Sequence, residues 1–120
     1  MGNLSAHFSR EEFACPCGCG LCEPKKELVD LLEEMRKTLG APVRINSGLR
    51  CEAHNQAVGG KDSSAHLCGE AADVSAEGGE KLFSAARAGF LAGAKRIGIG
   101  KNFVHVDVSG ALPSPRLWTY

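Results

Sequence analysis

Residues 103–108 read Phe-Val-His-Val-Asp-Val, a strict alternation of valine with aromatic or polar side chains. Side chains along a β-strand point to opposite faces with a period of two. Val104, Val106 and Val108 therefore share one face, which is assigned to a core. Phe103, His105 and Asp107 share the other. An imidazole and a carboxylate on one strand face are costly to bury without a partner. A metal cleft satisfies them, and so does solvent over a surface His–Asp pair. The alternation fixes the strand and leaves both readings open.

A second segment, Ser64-Ala-His66-Leu-Cys-Gly69-Glu-Ala71-Ala-Asp73, adds another imidazole and another carboxylate. Small residues at Ala65, Gly69, Ala71 and Ala72 let backbone crowd a shared centre. Two imidazoles and a carboxylate are common ligands of catalytic zinc, which keeps a fourth position for water. Water on zinc loses its proton near neutral pH and becomes a nucleophile. The two segments together read as a zinc hydrolase.

The bulk properties narrow the field. A chain of 120 residues with 43 % hydrophobic content is expected to form one domain over residues 1–120 with a real core. Formal net charge is zero, which argues against a nucleic-acid surface. No apolar run approaches the roughly 18 residues of a membrane span. A monomer is expected. The opening Met1-Gly-Asn-Leu-Ser-Ala-His7-Phe-Ser-Arg shows no basic n-region followed by an apolar stretch, so synthesis in the cytoplasm without a signal peptide is expected.

The segments fall into an α+β order. Ser9 with Glu12 forms a capping-box pattern, which predicts a short helix over 10–14. Leu28, Leu31, Leu32, Met35 and Leu39 recur at helical spacing after Pro24, and Gly40 suits the C-terminal cap. Lys25, Lys26, Glu33, Glu34, Arg36 and Lys37 mark mostly the wet side of that helix. Val43–Asn46 reads as a strand, 51–58 as a short helix stopped by Gly59-Gly60, and Ala71–Ser75 as a strand. A second long helix is predicted over Glu80–Ala92, with Leu82, Phe83, Ala86 and Phe90 inward. Arg96–Gly100 and Phe103–Val108 pair as a hairpin across Lys101-Asn102. The expected architecture is a small antiparallel sheet packed with helices.

Ser64-x-His66-x-x-Gly69-x-Ala71-x-Asp73 resembles the full signature of the zinc D-Ala-D-Ala carboxypeptidase family, whose fold is shared with the Hedgehog signalling domain. Further segments resemble its short single-domain phage and prophage members. These are residues 8–15, Ile45-Asn-Ser47-Gly48-Leu49-Arg50-Cys51, His54-Asn55 with Val58-Gly59-Gly60, Ile97-Gly98-Ile99-Gly100 and the Trp118-Thr-Tyr120 ending. The resemblance implies one zinc held by His66, Asp73 and His105, and hydrolysis of a peptide bond in peptidoglycan stem peptides. Such a substrate places its action at the cell wall, and with no visible signal peptide, release by host lysis, as in phage lysis systems, or an unconventional route is expected.

Arg50, in the family's Ser-Gly-x-Arg motif, then falls in the active site. A guanidinium there binds a substrate carboxylate or steadies an oxyanion. Ser64 is assigned to substrate or to a ligand's outer partner, with an ordinary loop serine as the alternative. His54 is read as structural and His7 as an exposed terminal residue. Several family branches carry a Glu or Asp where this chain has Asn102, and others a histidine where it has Phe103. Neither can take a proton, so Asp107 is assigned as general base, with an outer partner that orients His66 or His105 as the alternative. A zinc-binding domain of the same fold without catalysis is the alternative.

Six cysteines are many for this length. Cys15, Cys17, Cys19 and Cys22 cluster, Cys51 precedes the motif, and Cys68 lies inside it. Free thiols, a second, structural zinc on Cys15, Cys17, Cys19 and Cys22, and disulfides all remain open. The Cys-x-Cys-x-Cys spacing is tighter than the usual zinc knuckle. A cysteine-rich metal-binding interaction module is a further rival.

Overall fold

A computed structural model of the protein describes residues 4–15, 24–48, 55, 57–58, 66, 69–110 and 112–120. Among these, five strands form one sheet: β1 (Ile45–Ser47), β2 (Ala71–Ser75), β3 (Arg96–Ile99), β4 (Phe103–Asp107) and β5 (Arg116–Thr119). Two long helices, α1 (Lys26–Leu39) and α2 (Gly79–Ala92), complete the α+β fold. The strands lie in the order β1-β2-β4-β3-β5. The alternating segment at 103–107 is therefore the middle strand.

The alternation divides the sheet as its period requires. Ala72 and Val74 of β2, Val104 and Val106 of β4, and Ile97 of β3 are buried together. Leu28, Leu31, Leu32 and Met35 of α1 and Ala85 and Ala88 of α2 belong to the same cluster. Burying such side chains contributes roughly 1.5–3 kcal/mol each for the larger ones. The opposite face of β2 and β4 carries Asp73, His105 and Asp107.

Helix α1 follows its sequence pattern. Gly40 ends it in the left-handed conformation and donates its N–H to the Arg36 carbonyl. Its start is tied elsewhere: the Lys25 N–H donates to the Gly69 carbonyl at 2.9 Å. The expected N-terminal helix is a single 3-10 turn over Arg10–Phe13, with the Glu12 carboxylate accepting from the Ser9 N–H at 2.7 Å. Of the helix expected over 51–58, Asn55, Ala57 and Val58 are described; Asn55 and Ala57 are helical and Val58 lies in a turn.

Helix α2 presents only part of the face expected: Leu82 packs against the core and Ala86 is half-buried, but the phenylalanines turn outward. Ala85, Ala88 and Gly89 are buried, whereas Phe83 and Phe90 are 70 % and 59 % exposed. The reason is proximity. A Cβ on Gly89 would meet Val106 Cγ1 at 3.2 Å and Ile97 Cδ1 at 3.3 Å. The helix lies too close to the sheet for phenylalanine, so its small residues face inward. A hydrophobicity reading ranks the large side chains inward and misses this.

Two further differences concern the sheet. The first strand is Ile45–Ser47 rather than 43–46, with irregular register: Ile45 pairs with Val74, but Ser47 pairs with Asp73. One extra residue, Asn46, bulges there and re-aims the strand end. The sheet is antiparallel over β1-β2-β4-β3, and β5, which the sequence pattern did not mark, joins β3 in parallel. Four residues after Pro113 and Pro115 carry too little pattern to announce a strand.

The close approach of α2 yields a prediction. Gly89→Leu should destabilise the fold by about 1–3 kcal/mol through overpacking. Phe83→Ser should stay within about 0.5 kcal/mol, as for exposed positions. Urea unfolding midpoints check both, and a larger loss at Phe83 than at Gly89 would refute the assigned face.

Candidate metal centre

The site grows from one cross-strand row. Asp73 of β2 pairs directly with His105 of β4. Residues opposite one another in an antiparallel pair hold their Cβ atoms about 4.5–5.5 Å apart. His105 Nδ1 lies 3.0 Å from Asp73 Oδ1. His66 reaches the same oxygen from outside the sheet, its Nε2 at 3.3 Å. The two imidazole rings meet edge to face, with centroids 5.1 Å apart. All three residues are buried.

Each ring is oriented by a partner on its far side. His66 Nδ1 lies 2.6 Å from the Gly48 carbonyl. A carbonyl only accepts, so Nδ1–H donates to it and Nε2 is the nitrogen that faces Asp73. Gly48 gets its carbonyl there because a side chain would not fit. A Cβ on it would meet the Phe13 backbone at 2.7 Å. The Gly of the Ser47-Gly48 motif thus serves His66 through its backbone, a role the sequence reading did not assign.

His105 is held from the other side by Asp107. Its Nε2 lies 2.7 Å from Asp107 Oδ2. Nε2–H donates to the carboxylate and Nδ1 turns toward Asp73. The rest of Asp107 is engaged as well. Arg96 Nε donates to Oδ2 at 3.2 Å, and the Ser109 N–H donates to Oδ1 at 3.2 Å. Asp107 is fully buried. The base role expected for Asp107 does not match this geometry. The carboxylate sits behind His105, on the nitrogen opposite the cluster, with both oxygens occupied. Strand alternation puts residues 105 and 107 on one face but does not say that the imidazole ring will stand between Asp107 and the centre.

The donor set fits a metal ion. One ligand atom each from His66, Asp73 and His105 can be chosen so that all lie within 4.8 Å of one another, and this is the one such group among the described residues. Tetrahedral zinc with bonds of about 2.0–2.1 Å spaces its ligand atoms about 3.3 Å apart. The two separations from Asp73 Oδ1, 3.0 and 3.3 Å, are close to that spacing.

The charges of the metal-free cluster follow from burial and hydrogen bonding. Burial pushes the Asp73 carboxyl up. Hydrogen bonds from His105 and His66, with their charge, outweigh it and hold the group well below the usual carboxylate range. Burial pushes His105 down. Hydrogen bonds to Asp107 and Asp73, with their charge, outweigh it and raise the ring above the ordinary histidine value.

A family model described as Peptidase M15 matches residues 6–107. The chain belongs to that family. Peptidase M15 is the zinc D-Ala-D-Ala carboxypeptidase family that the 64–73 signature resembles, and its match spans every strand here except β5. No curated protein matches the chain. The Peptidase M15 assignment and the buried His/Asp/His cluster agree on a candidate metallopeptidase centre.

Other expected site residues fall elsewhere. Arg50, Ser64, His54, Cys17, Cys19, Cys22, Cys51 and Cys68 lie outside the described residues. Cys15 is buried, and nothing among the described residues supports a second zinc on the cysteine cluster. His7 is exposed as expected and lies 2.7 Å from Glu33 Oε1 on α1. The residues that sequence reasoning missed are Arg96 and Trp118. Arg96 lies in an expected strand with no motif signal of its own, and Trp118 lies in the ending that resembles the family but had no role attached to it.

The raised His105 value gives a signed pH dependence. In metal-free protein the doubly protonated ring contributes stability below its unfolded value of about 6.5, which is lost as pH rises through the raised folded value. Zinc must displace the Nδ1 proton, so its affinity should climb as pH rises through that same value. Competition titrations with a chelator between about pH 6 and about pH 8 check this, since histidine titrates there. Equal affinity at both ends would show that zinc displaces no proton from this ring.

Proposed function

We propose that the protein hydrolyses a peptide bond in peptidoglycan stem peptides, as a D-Ala-D-Ala carboxypeptidase or related endopeptidase. The observation that carries this is the buried cluster of His66 Nε2, Asp73 Oδ1 and His105 Nδ1 in a chain of the Peptidase M15 family. In this reading the three residues hold one zinc, and residues 1–120 act as a single monomeric domain. When bound, zinc polarises the scissile carbonyl and makes water nucleophilic near neutral pH.

This chain's own groups do the rest. Asp73 places a charged oxygen between two imidazoles and fixes the ion's position. Gly48 and Asp107 select which nitrogen each ring presents. Arg50 binds the substrate carboxylate or the developing oxyanion, and Ser64 hydrogen-bonds the substrate. Action at the cell wall, reached on lysis of the producing cell, suits such a substrate.

Asp107 is a positioning residue in this scheme. Asp107→Asn should therefore weaken zinc binding by about 10–100-fold, the usual cost of losing an outer partner of a ligand histidine. A general base behaves otherwise: affinity would hold while the rate at saturating zinc fell by about 100-fold or more. Zinc titration together with rate measurement at saturating metal separates the two.

One observation favours a second reading. With Asp107 occupied and Asn102 unable to accept a proton, the chain resembles a zinc-binding domain that has lost catalysis. Zinc content and product analysis on digested peptidoglycan discriminate. The peptidase reading expects stoichiometric zinc, lost in His66→Ala, and released D-Ala or cleaved stem peptide. It also expects Arg50→Ala to keep zinc and lose about 2–4 kcal/mol of transition-state stabilisation, the scale for one oxyanion donor. Full zinc occupancy without product would favour the binding domain.

A further inference from the structure

We propose that Arg96 is a positioning residue for the metal centre, acting on His105 through Asp107, and that Trp118 of β5 holds Arg96 in place. This rests on the reading that His105 binds the metal through Nδ1.

The proposal starts from sheet register. Two cross-strand rows run side by side on the polar face. One contains Ser47, Asp73, His105, Gly98 and Trp118. The next contains Ala71, Asp107 and Arg96. Register alone thus sets Arg96 opposite Asp107 and Trp118 in line with the metal-facing pair.

The side chains close the rows into a brace. Asp107 Oδ2 accepts from both His105 Nε2 and Arg96 Nε, at 2.7 and 3.2 Å. Arg96 is anchored at two further points. Its NH1 donates to the Pro113 carbonyl at 2.6 Å, and its guanidinium carbon lies 4.9 Å from the Trp118 ring centroid. That distance is within cation–π range. Trp118 in turn reaches His105, with centroids 5.2 Å apart. The indole fits because residue 98 is glycine: a Cβ there would meet Trp118 Cε2 and Nε1 at 2.6 Å.

The chemistry explains the choice of arginine. One planar fork donates in two directions and stacks its face on an aromatic ring, which a lysine ammonium cannot do at once. With the guanidinium on Oδ2, the carboxylate is pinned in the plane that receives His105 Nε2–H. The ring then cannot rotate to offer the wrong nitrogen. A plain structural ion pair would support the fold and leave the metal indifferent, and this difference is measurable.

Cobalt(II) reports ligand geometry through its visible absorption and serves as the probe, alongside zinc affinity. The unmutated chain should bind one cobalt with a tetrahedral spectrum. Arg96→Lys should keep its far-UV circular dichroism, shift the cobalt bands and weaken zinc binding about tenfold, the low end for outer partners of a ligand histidine. In an Asp107→Asn background the same substitution should add less than about a twofold loss, since residues acting in one network are not additive. Trp118→Leu, which leaves Arg96 its carboxylate, should weaken zinc in the same direction. Unchanged affinity and spectrum in both Arg96→Lys and Trp118→Leu would overturn the brace, as would full additivity with Asp107→Asn. If the unmutated chain binds neither metal, the metal centre itself is refuted and the brace falls with it.

Discussion

The structure depends on one carboxylate oxygen. Asp73 Oδ1 lies within 3.3 Å of a ring nitrogen from each of two histidines, inside a fold that buries all three side chains. A buried carboxylate is tolerated only when paired. Two imidazoles pair it, and each is oriented by an acceptor on its far side. The three side chains are therefore linked in one buried hydrogen-bonded network.

The sheet makes that unit possible by keeping its two faces distinct. Valines and isoleucine on one face join the helices in a common core. That packing fixes register, because a slip of one residue would exchange the core and polar faces. Fixed register is what sets Asp73 across from His105 and Arg96 across from Asp107. Apolar burial on one side of the sheet thus sets distances between charged groups on the other. Helix α2 contributes by pressing Gly89 against Val106, directly beside His105 in β4.

The edge strands have complementary roles. Strand β1 carries the bulge that presents the Gly48 carbonyl to His66. Strand β5 brings Trp118 to the far side of His105 and over the Arg96 guanidinium. The two histidines are thus supported from both edges of the sheet, His66 by a backbone carbonyl on one side and His105 by an aromatic ring on the other.

Much of this was legible before any fold was known. Period-two alternation placed His105 and Asp107 on one face of a strand, and the spacing of Leu28, Leu31, Leu32 and Met35 defined α1. The hairpin across Lys101-Asn102 even implies the Arg96–Asp107 pairing, since a two-residue turn sets Gly100 opposite Phe103. Other features depended on distance between segments remote in the chain. Which face α2 turns inward follows from how closely it approaches the sheet, and periodicity carries no such information. The parallel docking of β5 joins segments with no local signal to announce it. Which side of the His105 ring Asp107 occupies is likewise set by side-chain packing and not by strand alternation. Sequence determined the residue types and their faces, because side-chain direction is a local property of the backbone. Tertiary structure decided their roles, because a role is set by the atom each group meets.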